Sequence, residues 1–266
     1  MENNVDEILF RCSSLGYIMT EARTKGEGLG ETAKTHCVDV FVSWKYNRFT
    51  DINSKFFEKG NEVEEDSITI VSRLTKTKYE KNTEHVKNDF IKGTPDLYLG
   101  PDIYHSDLIR DTKSAWDIYT FNRARAKKLD SKYEWQIHGY NWLTGSKVGY
   151  IDYCLNNTPW HIVQGELIKE SYKHSGDTPN WMELQIIANH TYDRKTFEDY
   201  VNIRGCVAVD DYSTAVVQGF VEVPLGERHF CFEIITDDQH IAKMKQRVKD
   251  CREYIKTELV NSQFQK

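Results

Sequence analysis

The chain has 266 residues, a net charge of −6, and 39% hydrophobic and 12% aromatic residues, which excludes a disordered segment and allows one large domain with a sizeable core. No apolar run approaches the roughly 18 residues of a membrane span, and the acidic start MENNVDEILF lacks the basic-then-apolar form of a secretion signal, so the sequence points to the cytoplasm and to no membrane partner. The acidic balance argues mildly against a surface coated in nucleic acid but leaves room for a local basic groove.

Cys12, Cys37, Cys154, Cys206, Cys231 and Cys251 are widely spaced, with no C-x-x-C pair. That spacing speaks against zinc ribbons, and a reducing compartment speaks against disulfides. The thiols are expected to be small buried apolar groups. No repeat, low-complexity tract or Pro/Ser-rich linker interrupts the chain, which reads as a single domain over residues 1–266.

In chain order, residues 52–75 read as helical around Gly60. Along this stretch Glu64 is followed by Ser67, Ile68, Val71 and Leu74 at the helical repeat and so lies on the inward stripe, while Glu62, Glu65, Asp66 and Thr69 form a solvent face. An inward carboxylate requires either an ion-pair partner or a metal, because burying it alone costs several kcal/mol. Residues 94–99 and 107–114 alternate like strands, joined by GPDIYHS with its turn chemistry. On the second strand Ile109, Asp111 and Lys113 share a face; on the first, Asp96 and Tyr98 do. Paired as a hairpin, the strands bring Asp96 and Asp111 together at one end with Lys113 beside them. Asp102 belongs to the turn and Asp107 to the strand entrance.

A polar helix follows over 117–130 and a more amphipathic one over 131–144, where Gln136 aligns with Tyr140 and Leu143. That glutamine is either a core amide or a group recruited to a site. Arg123, Arg125, Lys127, Lys128, Lys132 and Lys147 outnumber the acids between residues 121 and 147, describing either a solvated helix face or a phosphate-binding run. VGYIDYCL reads as a strand that NNTP ends. The pattern after residue 160 is less regular, until RHFCFEII suggests a strand and DDQHIAKMKQRVKDCREYIKTEL a long helix with apolar spacing at Ile241, Met244, Val248, Cys251 and Ile255.

Two aspartates, a backbone carbonyl and several waters suit the octahedral oxygen shell of Mg²⁺. Such an ion acidifies a bound water and offsets charge growing on a phosphoryl oxygen, and an adjacent lysine can orient the water. The same residues taken alone also describe a salt-bridged hairpin on the surface.

The order of features, a helix glutamate (Glu64), P-D (Asp96), D-x-K (Asp111, Lys113) and Q-x-x-x-Y (Gln136, Tyr140), resembles the PD-(D/E)xK nuclease superfamily. Within it the chain is most similar to the branch of phage lambda exonuclease, YqaJ-type recombinases and RecB-like nuclease domains. The resemblance covers about residues 55–160 and leaves 161–266 as a C-terminal extension. It implies an α/β fold with a restriction-endonuclease-like core, a central mixed β-sheet flanked by helices and a C-terminal α/β extension. It also implies a metal-dependent phosphodiester hydrolase, here a phage-type exonuclease of DNA recombination or replication in a host cytoplasm. Lys113, Asp111, Asp96, Glu64 and Gln136 take the catalytic positions, and Asp96, Asp111, Glu64 and Thr112 the ligand positions for Mg²⁺, with Mn²⁺ as a substitute. Arg123, Arg125, Lys127, Lys128 and Tyr140 are the expected DNA contacts. DNA is the expected partner, with a single-strand annealing protein and further copies of the chain as candidates. Asp111 stands where glutamate is more usual, and the cysteine pattern of the iron–sulfur members is missing, so that cofactor is not implied. Alternatives are a structure-specific endonuclease on the same core and a DNA-binding or assembly protein with a vestigial core.

Overall fold

A computed structural model describes residues 4–24, 28–49, 54–206 and 210–261. The first segment carries β1 (Phe10–Arg11) and a short helix, α1 (Leu15–Ile18); α2 (Glu31–Tyr46) follows. The helical stretch predicted over 52–75 forms as two helices, α3 (Lys55–Glu62) and α4 (Glu64–Thr75), broken at Val63; Ile52 and Asn53 lie outside the described residues. Strands β2 (Val86–Lys87) and β3 (Ile91–Gly93) join β1 in a small sheet of order β1-β3-β2.

The central sheet is built from β4 (Leu97–Leu99), β5 (Leu108–Ser114), β6 (Val148–Cys154) and β7 (His229–Ile235), in that order. β4 is antiparallel to β5, β5 parallel to β6, and β6 antiparallel to β7. The parallel pair needs a crossover, supplied by α5 (Ile118–Arg125) and α6 (Ser131–Thr144). Asp117 caps α5 in a reciprocal box with Thr120, while Asp130 caps α6, which ends at Gly145 in the left-handed region (φ 77°).

α6 is more deeply placed than an amphipathic helix. From Gln136 to Thr144 nearly every side chain is buried, because the sheet lies on one side and the N-terminal layer on the other. Two glycines permit this approach. A Cβ at Gly139 would sit 2.5 Å from Leu15 Cδ1, and one at Gly149 would sit 2.5 Å from Ile137 Cγ2. On the opposite sheet face α4 buries Ile68, Ile70 and Val71 against Leu97 and Cys154. Leu74, expected on the same stripe, is exposed; it falls in the last turn of α4, whose C-cap, Lys76, is left-handed.

Beyond residue 160 the chain divides. Helices α7 (Trp160–Lys173), α8 (Asn180–His190), α9 (Arg194–Arg204) and α10 (Asp211–Gly219) enclose a cluster around Val163, Leu167, Ile187, Phe197 and Phe220. The chain then returns to complete the central sheet with β7, and α11 (Asp238–Tyr254) packs Met244, Val248 and Cys251 into the main core, joined there by Ile255 from just past the helix end. Ile241 is only partly buried there. Cys12, Cys37, Cys154 and Cys251 are buried as expected, but Cys206, just after α9, is half-buried, and Cys231 is exposed because β7 is an edge strand. Among the described residues no helix is long and apolar enough to cross a membrane.

Arg252 ties the last helix to the first strands. Its guanidinium donates to the Ile8 carbonyl (2.8 and 3.1 Å) and to the Asp89 carbonyl (2.6 Å) from a buried position. Replacing Arg252 with Met keeps the packing and strands both acceptors. The expected loss is about 2–4 kcal/mol of unfolding free energy, read by urea denaturation; a loss within error would show that water satisfies those carbonyls.

Candidate active site

The register of β4 on β5 sets Leu97 opposite Arg110, and one residue back Asp96 faces Asp111. The Asp96 Oδ2 accepts hydrogen bonds from the Thr112 backbone N–H (2.7 Å) and the Thr112 hydroxyl (3.1 Å). Asp111 is 2% exposed. Its Oδ1 accepts from Gln136 Nε2 (2.8 Å), and its Oδ2 is ion-paired with the Lys113 ammonium. Lys113 in turn sits 5.1 Å from the centre of the Tyr133 ring.

Gln136 is a recruited group rather than an ordinary core amide. Reaching across from α6, it fixes one oxygen of Asp111 and also donates to the Tyr140 hydroxyl at 3.1 Å. Tyr140 is 4% exposed, which corrects its expected role as a DNA contact. A ring buried between α6 and the small sheet cannot meet a duplex, and the Tyr140 hydroxyl is spent on Gln136. Arg123, Arg125, Lys127 and Lys128 are all exposed, on α5 and just beyond it, directly after the strand that carries Asp111 and Lys113.

Glu64 is the first residue of α4, partly exposed, and paired with Lys81 at 2.5 Å. Its charge reaches both aspartates. Burial pushes Asp96 up to about 7, with the neighbouring Asp111 charge next; Lys113 and the Thr112 N–H oppose this, and Glu64 adds to it. Asp111 is also raised, by burial first, with Lys113 pulling it back and Asp152 and Glu64 pushing it further. Burial lowers Lys113, but the Asp111 and Asp96 charges outweigh it and hold the amine above its ordinary value. Glu64, Asp96 and Asp111 thus set three hard oxygen donors against two lysines, Lys81 on Glu64 and Lys113 on Asp111. Their donor type is that of a small divalent cation's ligands.

Several positioning residues carry no sequence signal. The segment after α4 runs back along the hairpin: Asn82 donates through its backbone to the Asp96 carbonyl (2.7 Å) and through its side chain to the Pro95 carbonyl (2.8 Å). From the same segment the Tyr79 hydroxyl accepts from Arg110 Nε (3.1 Å), and Arg110 pairs with Asp152 on β6 at 2.7 Å. Lys59, 1% exposed, donates to the carbonyls of Ala115 (2.9 Å) and Trp116 (2.8 Å) and so fixes the exit of β5. Burial brings this amine down to about 7, with Asp117 opposing.

Neither protein-family models nor curated protein sequences give a match to the chain. Solved structures do. A phage-related exonuclease from Haemophilus somnus 129PT superposes with a TM-score of 0.62 at 24% identity over 93% of each chain. An alkaline exonuclease (LHK-Exo) from Laribacter hongkongensis gives 0.58 at 12% identity over 98% of this chain and 94% of that one, and its complex with dAMP gives 0.57. The fold is that of the phage-type exonucleases. It is also the fold that the sequence motifs imply, a mixed sheet flanked by helices with an α/β C-terminal part.

The raised carboxyl makes a signed prediction. Between about pH 4 and 7 native Asp96 holds a proton that the unfolded chain has released, so its contribution to stability falls as pH rises through that window. In chelator, Asp96→Asn should therefore gain stability relative to the parent from pH 4 to 7, with a constant difference above that. Parallel stability–pH curves for the two proteins would contradict this placement of Asp96.

Proposed function

We propose that the chain is a Mg²⁺-dependent deoxyribonuclease of the PD-(D/E)xK type, acting as an exonuclease at DNA ends in phage recombination or replication. The observation that carries this reading is the convergence of Asp96, Asp111 and Lys113 across the β4–β5 hairpin, with Glu64 near enough to act on both aspartates. The preference for ends rests on the fold shared with the exonucleases.

In this reading Asp96, Asp111, Glu64 and the Thr112 backbone would hold the ion. When bound, Mg²⁺ supplies an acidified water and offsets the charge that develops on the phosphoryl oxygen; Mn²⁺ can take the same ligands. Gln136 keeps one Asp111 oxygen fixed, leaving the other to Lys113. Lys113, held protonated by its two carboxylate neighbours, orients the attacking water and neutralises the pentavalent phosphorus. Arg123, Arg125, Lys127 and Lys128 grip phosphates flanking the scissile one.

End-labelled linear and covalently closed circular DNA, each with Mg²⁺ or chelator, test the reading directly. Mg²⁺-dependent loss of linear DNA alone is the expected result. Cleavage of the circle would make the chain an endonuclease, and no cleavage of either would leave a DNA-binding or assembly role. Asp111→Asn should abolish hydrolysis and lose the thermal stabilisation by Mg²⁺, whereas Lys113→Ala should lower turnover by about 10²–10³ with little change in DNA affinity.

The basic run has its own test in binding of the Asp111→Asn protein to short duplexes at several salt concentrations. Changing Arg123 and Arg125 to Ala should flatten the slope of log K against log salt by about 0.7–0.9 per lost contact. An unchanged slope would leave the run as a solvated surface.

A further inference from the structure

The sheet face turned away from Asp111 and Lys113 carries a second cluster of ligand-type side chains. β6 and β7 pair with Asp152 opposite Cys231, and His229, two residues earlier on β7, shares the face of Cys231. The ligand atoms of Asp152, His229 and Cys231 all lie within 4.8 Å of one another. Asp152 is 0% exposed and Cys231 exposed, so the cluster has a fixed floor and an open side. His229 Nε2 lies 2.7 Å from Asp152 Oδ1.

We propose that Asp152, His229 and Cys231 form a second metal site, for a thiophilic divalent cation of the Zn²⁺ class. A tetrahedral zinc with bonds of about 2.0–2.1 Å to nitrogen and oxygen and about 2.3 Å to sulfur spaces its ligand atoms about 3.3–3.6 Å apart. The 2.7 Å between His229 Nε2 and Asp152 Oδ1 is shorter than that spacing and every separation is under 4.8 Å, so the aspartate–histidine pair opens to admit the ion. One thiolate, one imidazole and one carboxylate form a softer set than the all-oxygen group at Glu64, Asp96 and Asp111, and select zinc over magnesium. A fourth position on the open side is left to water.

The surroundings support the ligands. Arg110 Nη1 donates to both Asp152 oxygens, Oδ1 at 2.7 Å and Oδ2 at 3.0 Å, and its guanidinium is fixed by the Tyr79 hydroxyl and lies 4.3 Å from the centre of the Tyr150 ring. It supplies the outer hydrogen bond that orients a metal-bound carboxylate. With the thiol deprotonated, carboxylate, thiolate and guanidinium sum to one negative charge before the dication enters. On binding, the thiol proton leaves to solvent, and the proton shared by His229 Nε2 and Asp152 moves to Nδ1, freeing Nε2 as the donor atom. Because Asp152 pairs with Thr112, the site lies one strand from the catalytic carboxylates but on the other side of the sheet.

The test is a Co²⁺ titration of the reduced full chain in saturating Mg²⁺, which keeps the all-oxygen site filled. The parent should take up one equivalent with a near-ultraviolet thiolate-to-cobalt charge-transfer band, which Zn²⁺ then removes by displacement. Cys231→Ser, a change at an exposed thiol, should keep the far-ultraviolet dichroism of the parent and lose the band; His229→Gln should weaken the uptake. No band in the parent, or an equal band in Cys231→Ser, overturns the proposal. The readout is independent of nuclease activity.

Discussion

Two carboxylates held against each other away from water are the constraint around which the structure is arranged. Asp96 and Asp111 face each other because β4 and β5 pair in one register, and a slip of one residue would turn Asp111 to the other face. Burial and mutual repulsion both disfavour their ionised forms. The neighbouring groups counter this only in part: Thr112 and Gln136 donate hydrogen bonds, and Lys113 supplies one charge. What stays uncompensated is local negative charge, which a proton on Asp96 relieves below about pH 7 and which the proposed cation would relieve above it.

Holding such a pair in place demands rigid supports on every side. α6 provides the largest, a helix buried for most of its length that presents Gln136 at the sheet. Glycines on α6 and β6 let it approach both neighbours closely enough for the amide to reach Asp111. The segment from Tyr79 to Asn82 fixes the hairpin from its other edge through backbone acceptors at Pro95 and Asp96, and Lys59 pins the strand exit. Each is a buried polar group with a partner, which is the condition under which polar groups stiffen a site instead of destabilising it.

The division of the C-terminal part follows from the same demand. Without β7, β6 would be an edge strand, and Asp152, which braces Arg110 beside Asp111, would face solvent instead of His229. The chain therefore returns after its helical segment to close the sheet, and α11 seals the opposite side through Met244, Val248 and Cys251. The helices from 160 to 219 keep an apolar cluster of their own.

Local chemistry was legible in the sequence wherever a short-range rule governs it. Strand alternation placed Asp111 with Lys113, turn residues ended β4, and the apolar repeat marked α11. The meeting of Asp96 with Asp111 was legible too, since a hairpin is set by neighbours in the chain. Other features depended on contacts between segments far apart in sequence. Whether Gln136 serves the core or the site, and whether Tyr140 faces DNA or the interior, turns on what packs against both sides of α6. The Arg110–Asp152–His229 network joins three strands, the last 77 residues beyond Asp152, and no local pattern encodes that pairing. Sequence alone determined which ionisable groups share a face on neighbouring elements; tertiary structure decided which are buried, because burial depends on distant segments closing over them.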